Sequence, residues 1–207
     1  TAPAEYAEVG VYHPSLPDRI SDNLSHLPGF KGKGAQKSKK MARGAGNGGS
    51  AGTVGLLLMR SYVLGADAKH YDGVISALEA HGLRVIPAFA AGLDARPAAE
   101  TFFLQDGKPI VDAVISLTGF SLVGGPAYND AKAAEELLVS LDVPYLAAHA
   151  VEFQSLESWK NDSRGLMPME TTIMVAIPEL DGATGPIVFG GRSSEEGRPD
   201  GTQFREI

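Results

Sequence analysis

The chain contains no cysteine among its 207 residues. Disulfides, thiolate metal sites and cysteine nucleophiles are therefore excluded, and a reducing, cytoplasmic setting fits. Long hydrophobic runs are missing too: none approaches the roughly 18 residues that cross a membrane. The opening Thr1-Ala2-Pro3-Ala4-Glu5 lacks the basic-then-apolar layout of a secretory signal. Positive charge is in deficit, with 18 Lys and Arg against 25 Asp and Glu and a formal net charge of −7. That balance disfavours non-specific binding to nucleic acid. Walker loops, G-x-S-x-G elbows and H-E-x-x-H helices are absent. The histidines, His13, His26, His70, His81 and His149, include no i, i+4 pair, so no metal cage is visible.

What is present is enough apolar residue, 43% of the chain, for one domain with a real core and irregular extensions. Residues 1–30 form an N-terminal extension: Val9–Tyr12 reads as an edge strand, His13-Pro14 and Pro17-Asp18 as turns, and 19–27 as a short polar helix. Residues 31–53 combine Lys31, Lys33, Lys37, Lys39, Lys40 and Arg43 with a Gly-, Ala- and Ser-rich run, the composition of a flexible basic tether. Gly44–Gly49 matches G-x-G-x-x-G, but it leads into a strand instead of following one, so it is not a nucleotide loop.

From Thr53 the pattern becomes regular. Strands are expected at 54–59, 83–89, 110–117, 144–148 and 186–189, and helices at 68–80, 98–103, 131–141, 156–161 and 169–177. Asp67 is placed as an N-cap, Gly82 as a C′ glycine and Pro168 in a first helical turn. Alternation through short loops predicts an α/β domain over 54–191, a mainly parallel, Rossmann-like sheet with helices on both faces. Residues 192–207 read as a polar tail.

The most informative segment is 114–127. The β-branched run Val114-Ile115-Ser116-Leu117 stops abruptly in Thr118, Gly119, Phe120 and Ser121, followed by Gly124, Gly125 and Pro126. A loop leaving a strand's carboxyl end is where open α/β sheets bind ligands. Its glycines would let a flat ligand approach and Phe120 could stack on it; packing against a neighbouring domain explains the same loop. Arg60 and Ser61, directly after the first strand, either face an anion or hold loops together by a salt bridge. His149, with Glu152 after the fourth strand, is a third candidate, alongside a purely structural role. His70 reads as part of a solvated helix-start cluster with Asp67 and Asp72. Glu157, Glu170 and Glu179 read as surface charges, and Trp159 as a core or interface anchor. No acid/base pair is evident, and catalytic residues remain unassigned.

Five segments occur in a familiar order: Val54–Gly65 (VGLLLMRSYVLG), His70–Gly92 (HYDGVISALEAHGLRVIPAFAAG), Val114–Ala127 (VISLTGFSLVGGPA), Asp142–Tyr145 (DVPY) and Pro178–Gly191 (PELDGATGPIVFGG). Together with Tyr12-His13-Pro14 they resemble the large porphyrin-binding subunit of magnesium chelatase, in the family that includes the cobaltochelatase large subunit. The loop 117–127 and Arg60-Ser61-Tyr62 look closest to the bacteriochlorophyll-pathway form. The resemblance implies ATP-driven insertion of Mg²⁺ into protoporphyrin IX. The porphyrin is held by the large subunit, and two AAA+ subunits supply the ATPase. Mg²⁺ and ATP then belong to the whole complex, and no cofactor is expected on this chain. Its expected partners are protoporphyrin IX, the AAA+ subunits and the remaining domains of the same subunit. Members are several times longer, so this chain resembles an internal piece from which isolated chelatase activity is not expected. A cobaltochelatase domain acting on a corrin-type ring, or a non-catalytic ligand-binding or subunit-docking module, are the alternatives.

Overall fold

A computed structural model of the chain describes residues 6–30, 52–126, 128–193 and 199–200. Its strands in chain order are β1 (Val9–Tyr12), β2 (Ile20–Ser21), β3 (Thr53–Met59), β4 (Arg84–Ala90), β5 (Leu104–Gln105), β6 (Lys108–Pro109), β7 (Ala113–Ser116), β8 (Tyr145–Ser155), β9 (Thr184–Arg192) and β10 (Pro199–Asp200). Eight of them make one sheet in the order β10-β9-β8-β7-β3-β4-β1-β2, while β5 and β6 form a small separate ladder. The strands from β9 to β4 pair in parallel, and β1, β2 and β10 pair antiparallel at the edges.

The helices are α1 (Arg60–Leu64), α2 (Lys69–Ala80), α3 (Arg96–Phe102), α4 (Ala131–Leu141), α5 (Leu156–Asn161), α6 (Pro168–Glu170) and α7 (Ile177–Leu180), the last two joined by a π-helical stretch over Thr171–Ala176. Central β3 is buried from Thr53 to Leu58, as a strand covered on both faces must be. Strand alternation sends Leu56 and Leu58 to a layer containing Tyr71, Val74 and Ile75 of α2. Leu57 faces the opposite layer, built on Ala99 and Phe102 of α3 and Ala134 and Leu137 of α4. The expected α/β architecture, with a mainly parallel sheet and helices on both faces, is thus what the chain forms.

Counting only the parallel strands, the order is 2-1-3-4-5, the doubly wound arrangement whose direction reverses between β3 and β7. The carboxyl ends of those two strands define the switch point.

Several local expectations change. The described part of the N-terminal extension is built into the sheet: β1 pairs with β4 at Val9–Ala90 and Val11–Ala88. Tyr12 Oη and Arg19 Nη2 also donate to the Asp72 carboxylate on α2, at 2.5 and 2.6 Å. Instead of a helix over 19–27 there is β2, which pairs with β1, and a 3-10 turn over Leu24–His26 capped by Asn23. Asp67 does not cap α2; Ala68 holds the N-cap position, and the Asp67 N–H instead bonds Tyr62 O. Gly82, with φ +78°, terminates α2 as expected. Pairing with β9 carries β8 well past residue 148, to Ser155. Residues 31–51 of the tether, including the G-x-G-x-x-G match, lie outside the described residues. Of the tail, Arg192 belongs to β9 and Pro199–Asp200 pair with it, while 194–198 and 201–207 lie outside the described residues.

The π-helical stretch has a local cause. Pro178 has no N–H to bond the carbonyl four residues earlier, and upstream of it Ile177 N–H reaches back five residues to Thr172 O.

Candidate functional site

Directly below the switch point stands Tyr71, fully buried. Its hydroxyl accepts the Met59 N–H at 3.2 Å and lies 3.5 Å from Leu117 O, linking the ends of β3 and β7. Above it the glycine-rich loop is stitched to the loop after β4: Gly124 N–H bonds Leu93 O at 3.1 Å, and Ala95 N–H bonds Leu122 O at 3.1 Å. Asp181, just past α7, accepts Leu122 N–H at 2.7 Å and also the Asn129 side-chain amide.

Between these walls lies a shallow, open cleft lined by Met59, Leu93, Thr118, Phe120 and Leu122, among others. The cleft encloses far less than a small-molecule site does, so a large flat ligand would find one wall here and need others.

Of the residues singled out in the sequence, Thr118, Phe120 and Ser121 line this cleft. Phe120 is half-buried. Thr118 Oγ1 pairs with Ser116 Oγ at 3.0 Å. Ser121 is buried and its hydroxyl is used within the loop, donating to Val123 O at 2.9 Å. Gly124 and Gly125 serve the loop's own fit. At φ +128° and +132° they leave no room for a Cβ, which would meet Tyr128 O at 2.2 Å and Leu93 Cδ1 at 2.6 Å. Gly119, at φ +79°, lies beside Met174. Arg60 ties the end of β3 to the N-terminal segment through backbone carbonyls. Its Nε donates to Ala7 O at 3.0 Å and its Nη2 to Tyr6 O at 3.1 Å. Ser61 is exposed on α1. His149 is apart from the cleft: β8 runs past it, and it is buried against Met174 and Pro178. Burial lowers its pKa to about 4, and its ring nitrogens have no partner among the described residues.

Two readings of single residues are overturned. His70 is not solvated: it is fully buried, stacked on Phe189 at 5.8 Å and edge-on to Tyr62 at 5.4 Å. Burial, then the nearby Arg192 charge, lowers its pKa to about 3, and neither ring nitrogen has a partner among the described residues. The signal was present, because His70 lies four residues before Val74 on the apolar stripe of α2. Glu170 is not a surface charge either. It is fully buried and accepts Phe153 N–H at 3.3 Å, Gln154 Nε2 at 2.6 Å and Met167 N–H at 3.0 Å.

A polar cluster beside the switch point had no sequence motif. Arg192 Nη2 lies 3.8 Å from Glu152 Oε2, and the Tyr62 phenol stands close enough to feel both charges. Burial, then the Glu152 carboxylate, raises the Tyr62 phenol well above its usual range. Among the described residues no group of three His, Cys, Asp or Glu could hold a metal ion, and no helix is long and apolar enough to cross a membrane.

The whole sequence, residues 1–207, matches the family described as CobN/Magnesium Chelatase. The magnesium-chelatase H-type subunit of Cereibacter sphaeroides is 54% identical over 196 residues, which cover 95% of this chain and 15% of that protein. The chloroplastic magnesium-chelatase subunit ChlH of Oryza sativa subsp. indica is 40% identical over 198 residues, 95% of this chain and 14% of that protein. The catalytic subunit of cobaltochelatase from Mycobacterium tuberculosis shares the fold, with a TM-score of 0.60 and 21% identity across 97% of this chain and 15% of that one. This chain thus spans about 15% of the length of the curated relatives it matches. On these matches, the chain belongs to the CobN/magnesium chelatase family.

Proposed function

We propose that the chain is a domain of a magnesium chelatase large subunit, and that the switch-point edge of its sheet forms one wall of a protoporphyrin IX site. In this reading Mg²⁺ is a substrate inserted by the whole complex in bacteriochlorophyll synthesis, and ATP is consumed by two AAA+ partner subunits. Higher identity to magnesium-chelatase subunits than to a cobaltochelatase favours the porphyrin over a corrin-type ring. A chelatase working in the cytoplasm fits the cysteine-free composition.

The observation that carries the proposal is the cleft itself. Phe120 and Leu93, 46% exposed, offer apolar surface at the one place where an open sheet of this winding binds ligands. The loop behind them is pre-organised by Asp181 and by the Gly124–Leu93 pairing, so little ordering would accompany binding. Mg²⁺ gives up water reluctantly, and an apolar wall that excludes solvent from one face of the ring serves its insertion.

Phe120→Ala in the full-length subunit tests this. Loss of one stacking contact corresponds to about 0.5–1.5 kcal/mol, roughly a two- to twelvefold weaker protoporphyrin affinity. A stable variant with unchanged affinity would leave the edge as a surface for docking another domain. That second reading draws on a separate apolar group, Phe153, Met167 and Met169, exposed around the buried Glu170.

A further inference from the structure

We infer that the corner formed by Tyr62, Glu152 and Arg192 is a carboxylate-binding site, and that the carboxylate it takes is a propionate of the tetrapyrrole. The inference rests on the reading of the switch-point edge as a tetrapyrrole wall.

The corner is built by an interruption of the sheet. Val151 pairs with Gly191 and Ser155 with Arg192, so Glu152, Phe153 and Gln154 bulge out of the ladder between them. Bulges gather next to binding sites because they re-aim side chains. Glu170 holds this one in place through Phe153 N–H and the Gln154 amide. Gly191 allows the close approach, since a Cβ there would lie 2.7 Å from Val151 O. The bulge delivers Glu152 to Tyr62 and Arg192, and the Arg192 and Glu152 side chains are each about one-third exposed, at 35% and 32%.

An arginine with a phenol beside it offers the donors a ligand carboxylate needs. Glu152 already fills that role from within the chain. At 3.8 Å its contact with Arg192 is at the outer limit of an ion pair, so a ligand can displace it toward solvent. Beneath them His70 is fully buried and edge-on to Tyr62 at 5.4 Å, so the phenol ring is supported from below.

The spacing fits as well. Strands β7 and β9 are two positions apart, so their ends are separated by about 10 Å. A macrocycle centred near Phe120, after β7, would carry propionates outward by a comparable distance, toward the end of β9.

The test uses the full-length subunit, titrated with protoporphyrin IX and with its dimethyl ester, which lacks both carboxylates. The wild type is expected to bind the free acid roughly ten- to a hundredfold more tightly than the diester. Arg192→Gln should bring that ratio close to one while leaving diester affinity unchanged. Tyr62→Phe, a smaller change, should lower the ratio severalfold. Equal binding of acid and diester by the wild type overturns the inference. So does an Arg192→Gln variant that loses both alike, which would assign Arg192 to the fold or to an acidic side chain elsewhere in the subunit. An unchanged ratio in Tyr62→Phe also counts against the site. Phe120→Ala separates this from the wall reading: it should weaken acid and diester together and keep their ratio. If it weakens neither while the ratio still depends on Arg192, the wall fails and the carboxylate site stands.

Discussion

Asp181 reaches from the end of α7 into the glycine loop, its Oδ2 accepting the backbone N–H of Leu122 at 2.7 Å. Two segments 59 residues apart are joined by this one buried carboxylate, which also takes the Asn129 amide. The loop's shape at the cleft therefore depends on the helix that closes the last crossover. Asp181→Ala orphans a buried N–H and should cost about 2–4 kcal/mol, with Asp181→Asn roughly half as severe. Urea denaturation of the chain measures both. A loss below about 0.5 kcal/mol for Asp181→Ala would show that the loop holds its shape without this contact.

Glu170 should behave as a structural carboxylate. Three donors converge on it inside the protein, so Glu170→Ala leaves them unanswered and is expected to cost about 3 kcal/mol. Glu170→Gln keeps one strong acceptor and should cost less, while speeding amide exchange at 152–154. Unchanged exchange there would mean that the β8 bulge is fixed by other contacts.

Acid should destabilise the chain through two histidines. Unfolded imidazoles titrate near pH 6.5. Burial holds His149 at about 4 and His70 at about 3 in the fold. Below pH ~6.5 the unfolded state binds protons that the native state refuses, so stability falls as pH falls through these windows and is flat above them. Each group adds a slope of at most about 1.4 kcal/mol per pH unit. His70→Phe retains the aromatic stack and should remove its share of the slope between pH 6 and 4.5. An unaltered slope would place His70 in contact with solvent.

Much of the fold was legible because it rests on periodicity. The buried run at Val54–Leu58, the stripe Tyr71, Val74, Ile75 on α2 and a strand within 110–117, shortened to Ala113–Ser116, all survive as elements. What the sequence could not show was pairing between distant segments. Val9–Tyr12 has no mark that ties it to β4, and nothing after Ala148 announces that β9 will carry β8 to Ser155. The candidate site divides the same way. The switch-point loop was placed by its glycines and its position after a strand, although Gly124 and Gly125 turn out to serve its own packing. The Tyr62, Glu152 and Arg192 corner joins residues from three elements, so no spacing in one segment reveals it. Glu170 looked like a surface charge because its partners are backbone N–H groups and a glutamine, and these carry no pattern.

The central claim is that the carboxyl edge at the switch point meets the macrocycle. Amide hydrogen exchange on the full-length subunit, with and without protoporphyrin IX, tests it most directly. Slower exchange is expected at residues 92–95 and 117–126, the two loops that wall the cleft. Residues 12–21, where β1 turns into β2 away from that edge, should be unchanged. Protection gained elsewhere in the subunit, with 92–95 and 117–126 exchanging as before, would contradict the account.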